Sequence, residues 1–438
     1  MASKKTEKVS NWGNFPAIEA HVLRFQNLNE LRQELQQHPA IIARGNGRCY
    51  GDASLQKNIV STKYWNKFIA FDRQAGEIEC ESGVLLSEVI ELSIPHGFFI
   101  SVTPGTKFVT VGGAIASDIH GKNHHVDGCF SEHVLHFTIL TESGEIKKCS
   151  RDENADLFWP TMGGMGLTGI ILTARFKLKK IETAYIRNEA IQAKNLDEIF
   201  TLFEESESWT YNVAWLDCLQ RGKNSGKSIM LRGEHATLNE LPQRLKKNAL
   251  TPRKKFSFTV PFYFPSFALN PLTIKLFNWF FYHKQLKKHL KNYVDLDQFF
   301  YPLDAIQNWN KIYGKKGFIQ YQFVIPKANG KEGMRQILET IAKSGNGSFL
   351  VVLKLFGRNN PLAYNAFPFE GYTLALDFKV NPKLPALVAA LDGIVEKYGG
   401  RIYRTKDALS KASLTSYLKN IDSTKFNSLQ NERINSSL

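Results

Sequence analysis

Residues 103–125 read TPGTKFVTVGGAIASDIHGKNHH. Glycines at 105, 112, 113 and 121 let the main chain lie closer to a large anion than any residue with a Cβ allows, and successive amides can then converge on it. The spacing is not that of a Walker loop, and no GxGxxG opens a strand-to-helix unit here, so the P-loop and Rossmann solutions are excluded. A different phosphate cradle is required.

Its other half lies upstream. Residues 41–54, IIARGNGRCYGDAS, form an apolar strand ending at Arg44, followed by Gly45, Gly47 and Gly51 with Arg48 and Tyr50 among them. Convergent amides beside a guanidinium suit a pyrophosphate. Alone, such a loop is an ordinary tight turn; two within the first 125 residues are not. A third glycine cluster, Gly163, Gly164, Gly166 and Gly169, follows the aromatic stretch LFWP at 157–160 and runs into an alternating strand at 170–178.

This triple pattern resembles the FAD-binding domain of the vanillyl-alcohol-oxidase superfamily. Within it, the chain from about Asn11 onward is similar to the decaprenylphosphoryl-ribose 2-oxidase family through residues 104–125, the Gly163 segment, YQFVIP at 321–326, LKLFG at 353–357 and GGRIYRTKD at 399–407. The resemblance implies an α+β, two-domain fold: an N-terminal FAD-binding domain over 1–180, an antiparallel-sheet substrate domain over 181–384, and a tail over 385–438 returning to the first domain. Short strands and helices, such as 30–37, 78–81 and 85–94, fit the first part; longer strands at 212–217, 318–325 and 349–356 with a helix at 331–343 fit the second. Loops and resemblance together place FAD against Arg44, Gly45, Asn46, Gly47, Arg48, Cys49, Tyr50 and Gly51 on one side. On the other they place Gly105, Thr106, Thr110, Val111, Gly112, Gly113, Ser117, Asp118, Ile119 and His120, with Ile171 and Tyr403 completing the set. The tie to FAD is expected to be tight and non-covalent.

At 438 residues the chain is too long for one core and has the apolar content, 43%, for two. Five cysteines, with no CxxC pair and no metal-ligand spacing, predict neither disulfides nor a zinc site, and no metal is expected. The first residues are basic without an apolar stretch after them, which predicts no secretory signal and a cytoplasmic home. The formal charge of +15 is concentrated: residues 241–291 hold eleven Lys or Arg, no Asp or Glu, and eleven aromatics. Basic ends around an aromatic centre predict peripheral contact with the inner face of the membrane, and Pro261, Pro265 and Pro271 argue against a spanning helix. The competing reading is a basic lid whose aromatics fill the substrate-domain core. Nucleic acid is not expected, since no recognition module accompanies the charge.

Oxidising an alcohol with a flavin requires a base for the hydroxyl proton. The resemblance places its catalytic lysine at Lys406, where burial lowers a lysine's pKa toward working pH. His120 is expected to face the flavin or a substrate phosphate, within an anion-facing loop that includes Lys122, His124 and His125. Lys122 and Lys354 are candidates for a phosphate or the flavin's pyrimidine oxygens. Gln322, on the same strand face as Gln320, suits a sugar hydroxyl, and Phe356 and Thr373 complete the expected substrate set. Mycobacterial members carry cysteine where this chain has Ala375 and asparagine where it has Thr373, a difference of pocket shape. The resemblance implies oxidation of the 2-hydroxyl of a polyprenyl-phosphate-linked pentose to a 2-keto product, the first half of an epimerisation completed by a separate short-chain reductase. The alternatives are a soluble aldonolactone or alditol oxidase, and a non-enzymatic basic membrane- or RNA-binding protein with a relic flavin fold.

Overall fold

The computed structural model describes residues 6–251, 257–265 and 267–437. The fold is α+β in two domains, and three sheets organise it.

A four-stranded sheet runs Glu7–Ser10, Ala17–Leu23, Asn58–Ser61, Ile42–Arg44, with the last three strands parallel. The helix Leu28–Gln37 carries the chain from Ala17–Leu23 to Ile42–Arg44, leaving room between them for the parallel strand Asn58–Ser61. Asn27 caps this helix by accepting from the Glu30 amide at 3.0 Å, and Leu31 and Leu35 bury its inner face. A second, antiparallel sheet centres on the long strand Ile170–Lys180, flanked by Glu77–Glu81 and Val134–Leu140. These two sheets hold the glycine loops between them.

The third sheet has eight strands, ordered His289–Asp295, Tyr185–Ala193, Ser228–His235, Tyr211–Leu216, Val351–Phe356, Gly371–Lys379, Phe318–Pro326 and Arg401–Ile402. Period-two alternation gives it two unlike faces. Ala214, Met230, Leu353, Leu374, Leu376, Ile319, Tyr321 and Phe323 pack under the helices Leu196–Glu204, Lys327–Ser344 and Leu384–Lys397. The opposite face carries Trp215, Val352, Lys354, Ala375, Gln320 and Gln322 and looks toward the glycine loops.

The tail is helical to residue 397 and turns at 399–400 before its last segment. Helix Leu384–Lys397 buries Leu384, Leu387, Val388, Leu391 and Val395 in the eight-stranded sheet's core, and Arg401–Ile402 is that sheet's edge strand. The return begins at Tyr403, because the apolar stripe of the preceding helix has its partner in the second domain. Thereafter the Thr405 carbonyl accepts from the Tyr50 amide at 3.1 Å, Ile41 bridges Phe426, and Arg433 pairs with Asp52 at 3.0 Å and Asp407 at 2.7 Å.

Of the basic aromatic stretch, residues 252–256 and 266 lie outside the described set. Pro271 opens the helix Pro271–His283, where its missing amide costs nothing, behind an Asn270 cap that accepts from the Leu272 and Thr273 amides. Ile274, Asn278 and Tyr282 face inward, while Leu272 (75% exposed), Trp279 (57%) and Phe280 (63%) face solvent.

Candidate active site

A cavity of about 620 Å³ separates the glycine loops from the polar face of the eight-stranded sheet. Gly45, Asn46, Gly47, Arg48, Cys49 and Tyr50 line one wall; Gly105, Thr106, Thr110, Gly112, Gly113, Ser117, Ile119 and His120 line another. Ile171 and Tyr403 also border it, as do Lys122, Gln322, Lys354 and Lys406.

The two loops contribute differently. Among the described residues the amides of Gly45, Asn46, Gly47 and Arg48 donate to no protein group, so four N–H donors are free for an anion. A Cβ at Gly45 would strike Thr110, which fixes how closely the two loops approach. In the second loop the donors of the helix start are already engaged, while among the described residues the amides of Gly105 and Thr106 donate to no protein group. Val111 N–H donates to the Val84 carbonyl and Gly112 N–H to the Ser82 carbonyl, each at 2.8 Å, and Gly113 N–H to Thr110 Oγ1 at 3.2 Å. Residues 111–113 supply a close-packed surface, and the amides at 45–48 supply most of the cradle.

Six expected contacts lie behind the walls. The Arg44 guanidinium is folded under Gly47, donates to the Ser10 carbonyl at 2.7 Å and borders a smaller cavity of about 200 Å³. Gly51 is pressed against the Asp407 carbonyl. Val111 is buried in the core, and Asp118 accepts from the Ser131 amide and hydroxyl at 2.8 and 2.9 Å. Phe356 packs against the rings of His120 and His124, at 4.8 and 4.7 Å between centroids. Thr373 donates to the Phe323 carbonyl at 2.7 Å and accepts from Gln322 at 3.2 Å. Strand alternation alone does not separate a wall from its backing.

His124 and His125 do not face an anion. His124 Nδ1 accepts from the Gly357 amide at 3.2 Å, and His125 Nε2 contacts the Trp209 carbonyl at 2.8 Å and Asn212 at 3.0 Å. Both pin the first domain to the second, because their short helix 124–127 abuts the interior strand Val351–Phe356 of the eight-stranded sheet.

His120 is the exception. Phe356, Phe367 and Tyr403 enclose its ring, Gln322 Nε2 lies 3.0 Å from its Nε2, and Nδ1 has no partner. Burial, with Lys354, His124 and Lys406 nearby, holds it neutral, well below the ordinary imidazole range. The Gln322 amide donates to both His120 and Thr373, which leaves its carbonyl oxygen to accept from a ligand.

Three buried lysines face the cavity. Burial lowers Lys122 and Lys354 to about 7 and Lys406 to about 8, with Lys354 depressing Lys122 further and Lys406 depressing Lys354. Lys122 Nζ donates to the Phe300 carbonyl at 3.2 Å, and Lys406 Nζ stands 4.0 Å above the Tyr50 ring. Asp377, which sustains the charge on Lys406, accepts from Gln320 at 2.6 Å and Tyr313 at 3.2 Å. It is the group that sequence reasoning missed. The visible signal was the pairing of GYTLALDF with the YQF strand, which sets Asp377 opposite Gln320. Trp12 was missed too; it lies beneath the Arg48 guanidinium at 4.0 Å and borders the cavity.

Residues 21–150 match the family model described as FAD binding domain. The chain is 35% identical to decaprenylphosphoryl-beta-D-ribose oxidase of Mycolicibacterium smegmatis, over 93% of this chain and 90% of that protein. The chain belongs to the decaprenylphosphoryl-beta-D-ribose oxidase family. More distant relatives share part of its length. Mouse L-gulonolactone oxidase is 27% identical over 34% of each chain, and Arabidopsis thaliana cytokinin dehydrogenase 3 is 31% identical over 32% of this chain and 28% of its own. The chain is thus an FAD-dependent oxidoreductase. Its residues fit that cofactor: four free amides at 45–48 suit a diphosphate, and the apolar cavity behind them suits a planar ring.

Proposed function

We propose that this chain oxidises the 2-hydroxyl of a polyprenyl-phosphate-linked pentose, ribose by the name of its relative, to a 2-keto product. The observation that carries the reading is the three buried lysines on the cavity wall, of which, among the described residues, only Lys406 has a carboxylate, Asp377, acting on it. Lys122 and Lys354, lowered to about 7 by burial, hold their protons more firmly beside an anion, so this wall favours an anionic ligand. A free sugar lactone brings no such charge.

Bound FAD supplies the two-electron acceptor for the hydrogen on the carbinol carbon. Lys406, neutral on Nζ, takes the hydroxyl proton; Gln322 accepts from a neighbouring hydroxyl through its carbonyl oxygen and so orients the sugar. Lys122 and Lys354 hold the phosphate or the charge that develops at the ring. His120 positions Gln322 and, being neutral, adds no repulsion to the lysines. The amides at 45–48 grip the diphosphate, and Tyr403 closes the pocket by donating to the Ser117 carbonyl at 2.9 Å.

The same reading includes a membrane face. Trp279, Phe280 and Leu286 are exposed beside Lys284, Lys287 and Lys288, while Phe277 and Phe281 of the same helix border the cavity. A lipid tail could lie in the bilayer while its sugar enters the pocket, which favours peripheral attachment at the inner membrane face. No described helix is long and apolar enough to cross a membrane. Lys291 belongs to the sheet instead, paired with Glu189 at 2.9 Å. The keto product requires a hydride-donating reductase, assigned here to a separate short-chain enzyme. The two-domain division at about residue 180 and the tail's return to the first domain belong to this reading as well.

The test is anaerobic mixing of the flavin-loaded protein with a polyprenyl-phosphoryl ribose, free ribose or an aldonolactone. Bleaching of the flavin band by the lipid-linked sugar alone supports the proposal. Equal bleaching by free sugars refutes it in favour of an aldonolactone or alditol oxidase, and a colourless protein that takes up no FAD refutes both.

A further inference from the structure

Away from the cavity, His21 on the strand Ala17–Leu23 faces Glu34 and His38 at the end of the helix Leu28–Gln37. The spacing of four stacks Glu34 and His38 on one helix face, and the crossover lays that face on the strand. His38 Nε2 lies 3.0 Å from Glu34 Oε2, and His21 Nε2 lies 3.6 Å from the same oxygen. One ligand atom from each residue falls within 4.8 Å of the others. Zinc bonds to nitrogen and oxygen of about 2.0–2.1 Å, spread tetrahedrally, space their donor atoms roughly 3.3 Å apart. The two measured separations straddle that value.

A plain ion pair accounts for His38 and Glu34 but leaves His21 unexplained. At 3.6 Å its Nε2 makes no hydrogen bond to the carboxylate, and both of its ring nitrogens are shut off from water without a partner. The side chains of His21, Glu34 and His38 are 20, 13 and 19% exposed, so the trio lies close beneath the surface.

We propose that His21, Glu34 and His38 form a binding site for a divalent transition metal of the zinc class, with water in the fourth position. Two imidazoles and one carboxylate are a donor set that zinc favours, and neutral histidine brings the lone pair the metal needs. The sequence expectation of no metal looked to cysteine spacing, and these ligands, with His21 and Glu34 13 positions apart, come from a strand and a helix that only folding lays together. None of the three borders the cavity, so the ion would act on the scaffold. It would clamp strand to helix at the corner where Lys425 Nζ donates to the His38 carbonyl at 2.8 Å and the Ile41 amide donates to the Lys425 carbonyl at 2.9 Å, the anchor of the returning tail.

The experiment is equilibrium dialysis of the full, FAD-loaded chain against micromolar Zn²⁺ at neutral pH, alongside His21→Ala, His38→Ala and Glu34→Gln, with flavin content as the check on folding. The wild type should hold one zinc per chain; each variant that keeps its flavin should bind at least about tenfold more weakly, and zinc should raise the melting temperature of the wild type alone. Absence of tight zinc in the wild type, or undiminished zinc in His21→Ala, overturns the proposal. X-ray absorption at the zinc edge of the wild type needs no variant: a shell near 2.0 Å with scattering from two imidazoles supports the site, and a shell without imidazole refutes it.

Discussion

Replacing Lys406 by methionine removes the ammonium while keeping the length and packing of an unbranched chain. Burial takes Lys406 from 10.5 to about 8, against the opposing pull of Asp377 and Cys49. At pH 7 roughly one lysine in ten is then neutral, against about one in 3,000 at the ordinary value, a gain of about 300-fold in available base. Because the neutral form is the acceptor, the reductive rate should rise with pH, about tenfold per unit below 8, and level off above it. Stopped-flow bleaching of the flavin band under anaerobic conditions from pH 6 to 9.5 reads this directly. Lys406→Met should flatten the profile and slow the plateau by about 10²–10⁴-fold, with flavin still bound. Asp377→Asn should move the limb to lower pH, since the carboxylate is what sustains the lysine's charge. A methionine variant that keeps the limb and its midpoint would remove Lys406 from proton transfer.

Gly51→Ala drives a methyl group into the Asp407 carbonyl and should cost about 1–3 kcal/mol in urea unfolding, with a fall in turnover as residues 405–407 shift. Arg433→Met leaves the buried Asp52 and Asp407 without their shared partner and should cost about 3–5 kcal/mol in the same measurement. Trp279→Ser with Phe280→Ser should weaken sedimentation with anionic vesicles while leaving reduction by a detergent-dispersed substrate unchanged; equal sedimentation would return this helix to the role of a lid. Lys354→Met should raise the KM for the lipid-phosphate sugar more than it lowers kcat, which steady-state kinetics separates.

Glycine clusters and alternating strands were legible because each is a local property. The helix expected at 331–343 is observed at Lys327–Ser344, and the strand at 318–325 at Phe318–Pro326. What sequence could not reveal were facts about partners. Val111 and Gly112 sit in the motif that first pointed to an anion, yet their amides are spent on Val84 and Ser82, residues about 30 positions away. His124 and His125 look like donors to a ligand and turn out to be bolts between domains. Asp377 hides in an apolar strand, and its importance emerges only where Gln320 and Tyr313 converge on it.

Lys406 sits on a turn whose neighbours Thr405 and Asp407 are gripped by Tyr50 and by Arg433, the latter also fastened to Asp52, 381 positions upstream. Such distant closures form late when a chain organises itself, after each sheet has found its own strands. A molecule cut in the irregular stretch between 416 and 428 is therefore expected to keep its sheets while the base drifts out of register. Catalytic competence then depends on contacts that span nearly the whole polypeptide.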